Sequence, residues 1–353
     1  MAIPIRNVYY LLSYAWGYFE SDSVVDVESV ESNELADLFA RILIDGTRQL
    51  VRRGIDRGYR TESREIAGVR GQIEFGASIN EMLFQQGKAR CRIDELTHDV
   101  LHNRLLKATL LHLRRVRELD GKLRAEIGEV LRYFRDVEEL KRLNPLLFHR
   151  VELHRNNRSY RLLLDVCELV ARNLLVSEET GDARFRDFLR DEAQMNMLFE
   201  KFVRNFYDRE HEGFRSTSSY LQWNAEGSEE AKSLLPRMET DITLEGNDRV
   251  VIIDTKYYQK TLQPGYRGGK KVPSANLYQL YAYLNSYLAH WAAGREVEGM
   301  LLYPAVDRRL RLDYEIDGFR VQVCTVDLGR KWREIEEELL NVVGSREAPV
   351  NVF

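Results

Sequence analysis

Three ionisable side chains stand close together in one stretch, Leu234–Tyr258 (LLPRMETDITLEGNDRVVIIDTKYY): Asp241, Asp254 and Lys256. Two strand-like runs, Met238–Leu244 and Arg249–Tyr257, flank Glu245-Gly246-Asn247-Asp248, whose Gly and Asn tolerate the positive φ of a tight turn. A hairpin closed symmetrically about Asn247-Asp248 sets Asp241 opposite Asp254. The period-2 pleat then places Lys256 on the face of Asp254, while Ile253 and Thr255 point the other way. Two carboxylates suit a hard divalent cation such as Mg²⁺, which keeps waters that a substrate phosphate can displace. A neighbouring ammonium can orient an attacking water or neutralise a scissile phosphate. The chemistry expected of this face is phosphodiester hydrolysis.

The spacing Asp-x₁₂-Asp-x-Lys matches the PD-(D/E)xK nuclease motif, with Thr240-Asp241 standing for Pro-Asp and Asp254-Thr255-Lys256 for the second half. Alone, D-x-K equally describes a buried strand whose polar end reaches solvent. The paired hairpin is what raises this example above that background.

A chain of 353 residues has room for two domains, and 44% hydrophobic with 31% charged residues describes a folded protein with real cores. The net charge of −4 excludes a uniformly basic nucleic-acid binder, so contact with DNA needs local patches. Arg104 to Arg161 is one, with 15 Lys/Arg against 8 Asp/Glu, although interspersed Glu residues equally describe a solvated helix face. Cys91, Cys167 and Cys324 are widely separated, which predicts buried free thiols in a reducing compartment and excludes a zinc ribbon. His98 and His102 share helical spacing without the Glu of H-E-x-x-H and read as surface or capping residues. With no signal peptide and no run long enough to span a bilayer, a cytoplasmic location without membrane contact is expected.

The opening carries six aromatic side chains between Tyr9 and Phe19 and reads as a buried helix or a docking surface. Ser21–Ser32 is an acidic loop, and Asn33 is placed to cap a helix running to Gly54. Short alternating runs between residues 57 and 96 predict a small β module. Helices follow at Asp99–Arg117, Gly121–Arg135 and Tyr160–Leu175, and the polar stretch His154–Ser159 marks the expected domain boundary. Asn196–Tyr207 is an amphipathic helix with Glu200 among its apolar residues.

Past the hairpin, the Gly265–Lys271 run departs from G-x₄-G-K-[ST], so this chain is not expected to hydrolyse nucleotides, although Lys270 and Lys271 could touch a DNA backbone. Ser274–His290 is a helix bearing Gln279 and Tyr283 on one face. Strands at Gly299–Tyr303, Arg311–Ile316 and Phe319–Val326, the last two joined by Asp317-Gly318, precede a helix at Arg330–Val343. The expected fold class is α+β/α/β: residues 1–155 as mixed helix plus small β module, and 156–353 as a central mixed sheet flanked by helices.

The segments MAIPIRNVYYLLSYAWGYFE, VRGQIEF, SYLQW, LLPRMETDI, IIDTKYY, NLYQLYAYL, GMLLYP and CTVDLG, in that order, resemble the McrC family, the nuclease subunits of McrBC 5-methylcytosine restriction systems. The resemblance implies a C-terminal PD-(D/E)xK endonuclease domain with Asp241, Asp254 and Lys256 as its catalytic set. By the wider motif, Glu200 matches the acidic residue on the helix before the sheet, making Asp241, Asp254 and Glu200 the implied Mg²⁺ ligands. Gln279 with Tyr283 resembles the Q-x-x-x-Y segment of RecB-like nucleases. The resemblance also implies that residues 1–155 dock on and stimulate a hexameric AAA+ GTPase, McrB, which binds the GTP and recognises methylated double-stranded DNA, with dimerisation through higher-order assembly. Two other readings stay open at this point: an assembly and GTPase-activating module with a DNA-binding nuclease fold, and a stand-alone RecB-like exonuclease.

Overall fold

The computed structural model describes residues 3–17, 34–140, 142–176, 183–185, 188–258, 262–264, 270–305 and 309–344. The acidic stretch Ser21–Ser32, the Asn33 cap and most of the Gly265–Lys271 run lie outside them. The helices are α1 (Ile5–Ala15), α2 (Leu35–Arg53), α3 (Leu101–Arg114), α4 (Gly121–Val130), α5 (Arg161–Asn173), α6 (Glu192–Glu210), α7 (Ser274–His290) and α8 (Trp332–Gly344). The strands are β1 (Gly58–Ala67), β2 (Gln72–Ile73), β3 (Lys88–Thr97), β4 (Arg215–Thr217), β5 (Ile242–Glu245), β6 (Arg249–Thr255), β7 (Glu296–Pro304), β8 (Arg311–Ile316) and β9 (Phe319–Val326). Short additional pairs and turns connect them.

Two compact units result, and their division differs from the expected boundary near residue 155. One unit spans Glu34–Arg186, while α1 joins everything from α6 onward. The reason lies in what each element buries. Helix α5, assigned by the sequence reading to the C-terminal half, packs Leu162, Leu163, Val166, Cys167 and Val170 into the helical unit with α2 and α3. The polar stretch before it is a turn with satisfied hydrogen bonds: Asn157 Nδ2 donates to Asp56 Oδ2 at 2.9 Å, and Tyr160 Oη donates to Asn103 Oδ1 at 2.8 Å. It is therefore no linker.

In the Glu34–Arg186 unit, the β module forms as a three-stranded sheet in the order β1-β3-β2, with Ala89, Cys91 and Ile93 buried beneath it. His98 is half exposed, as a surface residue is, but His102 departs from that expectation. His102 is buried, with Nε2 3.0 Å from Asp56 Oδ2. Much of the basic excess between Arg104 and Arg161 has internal partners: Arg104 pairs with Asp99 and Glu138, and Arg124 donates to the carbonyl of Val116.

The other unit is built on a six-stranded mixed sheet in the order β8-β9-β7-β6-β5-β4. Strands β6, β7 and β9 are parallel neighbours, and the remaining pairings are antiparallel. Helix α7 is the crossover that parallel β6 and β7 require. On one face Val250 and Ile252 of β6 pack with Leu280, Tyr283 and Leu284 of α7. Val251 and Ile253, of opposite pleat, are equally buried, so the sheet is covered on both sides. The aromatic opening becomes α1 inside this unit. Tyr10 stacks on Trp332 at 4.4 Å, Tyr14 meets Phe202 and Phe206, and fully buried Asn7 donates to the carbonyls of Leu328 and Arg330, both at 2.7 Å.

All three cysteines are free and buried. No helix among the described residues is long and apolar enough to cross a membrane.

Candidate active site

The register of the hairpin is the one its turn symmetry predicts: Ile253 pairs with Ile242, Ile252 with Thr243, Val251 with Leu244 and Val250 with Glu245. Two local features differ. The run Met238–Leu244 is not one strand, because Met238–Glu239 pairs with Tyr220–Leu221 and the chain breaks at Thr240-Asp241 before β5. Buried Thr240 holds that break. Its hydroxyl accepts from Ser219 N at 3.0 Å and lies 2.8 Å from the Thr243 hydroxyl, so Thr at the motif's Pro position has a bonding role of its own. In addition, no residue of Glu245–Asp248 takes a positive φ. Gly246 is demanded by space instead, since a Cβ there would come within 2.8 Å of the Phe214 ring.

The break frees Asp241 to turn its carboxylate back on β6. Its Oδ2 accepts from Thr255 N at 2.8 Å and from the Thr255 hydroxyl at 3.0 Å. Asp254, continuing the face of Val250 and Ile252, is fully buried. Lys256 donates to Asp254 Oδ1 at 2.8 Å, and its ammonium lies 3.7 Å from Asp241 Oδ2. The predicted trio is brought together.

A half-buried stripe of α6 completes the surroundings: Asn196, Glu200 and Arg204, at successive intervals of four residues. Asn196 Oδ1 accepts from Tyr257 N at 2.9 Å. Arg204 Nη1 lies 3.2 Å from Glu200 Oε1 and 3.5 Å from the carbonyl oxygen of Asp241. Glu200 belongs to this neighbourhood electrostatically. Burial raises its pKa and the Asp241 charge adds to this, against the pull of Arg204 and Lys256. From α7, Gln279 donates to Tyr283 Oη at 2.7 Å. Burial raises the Tyr283 phenol, and the charges of Asp254 and Asp241 raise it further, which places Tyr283 beside the site. Among the described residues no hydrogen bond joins Gln279 to Asp241, Asp254 or Lys256.

The electrostatics favour a bound cation. Burial pushes Asp254 up to about 7, and Asp241 and Glu200 add to that rise, although Lys256 opposes it. For Lys256, burial works to lower the pKa, but Asp254 and Asp241 outweigh it and the net direction is up. Even with this ammonium in place, Asp254 Oδ2 is a buried oxygen with no hydrogen-bond partner. An unpartnered, desolvated carboxylate oxygen is costly in isolation and is a ready ligand for a hard cation. Both hydrogen bonds of the Asp241 carboxylate and its Lys256 ion pair fall on Oδ2, and the Glu200 contact on Oε1. Among the described residues no three carboxylate, imidazole or thiol side chains form a ready-made metal cage. Mg²⁺ does not need one, because it is held by one or two carboxylates and completes its shell with water and substrate phosphate.

Residues 6–304 match the family model described as McrBC 5-methylcytosine restriction system component. The chain belongs to that family. Among McrBC relatives, the type IV methyl-directed restriction enzyme EcoKMcrBC of Escherichia coli (strain K12) is 37% identical over 341 residues, covering 96% of this chain and 97% of the relative. A solved structure similar to this McrBC chain is the refined half-complex from a tetradecameric assembly of Thermococcus gammatolerans McrB AAA+ hexamers with bound McrC. It matches with a TM-score of 0.58 at 19% identity, covering 96% of this chain and 75% of that one. At that identity the likeness concerns the fold.

Sequence reasoning missed Asn196, Arg204 and the Thr255 hydroxyl. The first two carried a signal, since they flank Glu200 at intervals of four residues, on one stripe beside the buried Phe199, Phe202 and Val203. Thr255 carried none, because its hydroxyl matters only once Asp241 folds back on it.

Proposed function

We propose that this chain is the Mg²⁺-dependent endonuclease subunit of a GTP-dependent, 5-methylcytosine-specific restriction complex, with a PD-(D/E)xK site. The observation that carries the reading is the convergence of Asp241 and Lys256 on a buried Asp254 whose Oδ2 has no partner. A pure binding module has no use for ionisable groups this costly to bury, which weighs against the assembly-only alternative.

Asp254 and Asp241 would hold the ion, with Glu200 available as a further or water-bridged ligand. Bound Mg²⁺ would supply charge to offset that developing on the scissile phosphate. Thr255, through its N–H and hydroxyl, keeps the Asp241 carboxylate turned toward β6. Lys256 keeps its ammonium over Asp254, from where it can donate to a non-bridging phosphate oxygen or orient water.

The GTP-consuming partner is proposed to be an AAA+ hexamer like that bound by the Thermococcus gammatolerans McrC. It would read the modified base, bind the GTP and deliver double-stranded DNA in the cytoplasm. Two assemblies meeting through higher-order contacts would cut opposite strands.

Incubating methylated and unmethylated plasmid with the chain, with and without partner, GTP and Mg²⁺, tests the reading. Cleavage is expected only when methylation, partner, GTP and Mg²⁺ coincide. Efficient cutting by the chain alone would favour the stand-alone exonuclease, and GTPase stimulation without any cutting the assembly module.

A further inference from the structure

We propose that Asn196 and Arg204 are positioning residues, a two-point clasp by which α6 holds the ends of both site-bearing strands and presents Glu200 between them. The inference rests on the metal-dependent reading of the Asp241–Asp254–Lys256 site. The two tethers grip different strands. Asn196 accepts the N–H of Tyr257, immediately past Lys256, while Arg204 reaches the carbonyl oxygen of Asp241.

Each tether acts where the sheet ladder has run out. Strand β6 ends at Thr255, and just past it Lys256 N donates to Leu302 O at 3.1 Å. At the next residue, Tyr257 N–H is taken by Asn196 on α6. Lys256 is thereby held on both sides, by its own N–H and by that of the next residue. Asp241 lies one residue before β5, and its main chain is steadied from α6 by Arg204.

Asn196 and Arg204 are eight residues apart, about 12 Å along a helix, with Glu200 midway. The same guanidinium that reaches Asp241 also binds Glu200 Oε1, so Glu200 and Asp241 are fixed relative to each other through one group. The Arg204–Glu200 pair is about a quarter exposed on each side, 25% and 27%, and an i,i+4 pair so exposed adds little to stability. What it contributes is placement.

The test is Mg²⁺ titration calorimetry on the 353-residue chain without partner or DNA, comparing Asn196→Leu, Arg204→Ala, the double variant, Asn196→Asp and Arg204→Lys, with Asp254→Asn as reference. Asn196→Leu and Arg204→Ala should each weaken Mg²⁺ binding by about tenfold, the range found when groups supporting metal ligands are removed. The double variant should lose more. Circular dichroism should show the native fold in each. Asn196→Asp keeps an acceptor for Tyr257 N–H and should bind at least as tightly as the parent, and Arg204→Lys should recover part of the loss.

Parent-like binding in Asn196→Leu and Arg204→Ala, with binding lost in Asp254→Asn, would overturn the clasp and leave the metal site standing. Losses that neither conservative variant relieves would overturn it too, since they would reflect general distortion of α6. Undiminished binding in Asp254→Asn would remove the metal-site reading and the clasp with it.

Discussion

Thr255 donates both its main-chain N–H and its hydroxyl to the same oxygen of Asp241, at 2.8 and 3.0 Å. One residue of β6 thus orients a carboxylate that precedes the neighbouring strand, while Lys256 bonds Asp254 and lies 3.7 Å from that same Asp241 oxygen. Thr255→Val keeps the shape and the N–H bond but deletes the hydroxyl. It should cost about 1 kcal/mol of stability and weaken Mg²⁺ binding by roughly fivefold. Thr255→Ser should bind as the parent does, and equal Mg²⁺ affinity in the Val variant would show that the hydroxyl does not orient Asp241.

Asp254 gives the site a pH signature. Its folded pKa is raised, so the folded state holds this proton more tightly than the unfolded chain does. Its stabilising contribution is complete below the ordinary carboxylate range and is lost as pH rises through about 7. Without metal, Asp254→Asn should therefore gain stability relative to the parent between pH 5 and pH 8, of order a few kcal/mol. Added Mg²⁺ should raise the melting temperature of the parent, more at pH 8 than at pH 6, and leave that of the variant unmoved. A variant that still melts higher with Mg²⁺ would sink the assignment of Asp254 as a ligand.

Lys256 separates catalysis from metal binding. Lys256→Ala should abolish plasmid cleavage in the assembled complex while Mg²⁺ binding persists, because the ammonium is not a ligand. It also removes the one cation bonded to Asp254 among the described residues, so the metal-free variant should lose stability more steeply above neutral pH than the parent. Cleavage at near-parent rate would exclude Lys256 from the chemistry.

Asn7 tests whether α1 is integral to the unit of the six-stranded sheet. Asn7→Leu leaves the carbonyls of Leu328 and Arg330 without their donor, at a site with no exposure, and should cost about 2 kcal/mol. Denaturant unfolding measures this directly. A change below about 0.5 kcal/mol, the range of ordinary surface substitutions, would mean that α1 is only loosely attached.

The division of labour can be tested with cuts that respect the two units. Residues 34–186 alone should fold and stimulate GTP turnover by the AAA+ partner without cutting DNA. A cut near residue 155 would strand α5 away from α2 and α3, and removing residues 1–17 would strip α1 from Phe202, Phe206 and Trp332. Stimulation found only in the piece carrying the six-stranded sheet would reverse the assignment.

Local pattern carried a great deal of this protein. Ser274–His290, Arg311–Ile316 and Phe319–Val326 form with the bounds that periodicity predicts, and Asp317-Gly318 adopts the two positive φ values its turn requires. The hairpin register followed from the position of the turn alone, but the expected pairing of Asp241 opposite Asp254 did not, because the chain breaks at Thr240-Asp241 and the Asp241 carboxylate bonds Thr255. What pattern could not convey depended on partners far along the chain. The place of α1 is decided by Leu328, Arg330 and Trp332, more than 300 residues away, and the need for glycine at 246 by the ring of Phe214. Asn196 and Arg204 were legible as polar positions on a helix, but not as bonds to the main chain of two strands.

That α1 packs against Trp332 also orders events during synthesis. The segment from Glu34 to Arg186 emerges complete and can fold on the ribosome before β4 exists. The unit built on the six-stranded sheet cannot close until α8 has been made and α1 finds it. A nascent chain can therefore complete the Glu34–Arg186 unit well before Asp241, Asp254 and Lys256 are brought together, and products truncated before α8 should be inert toward DNA.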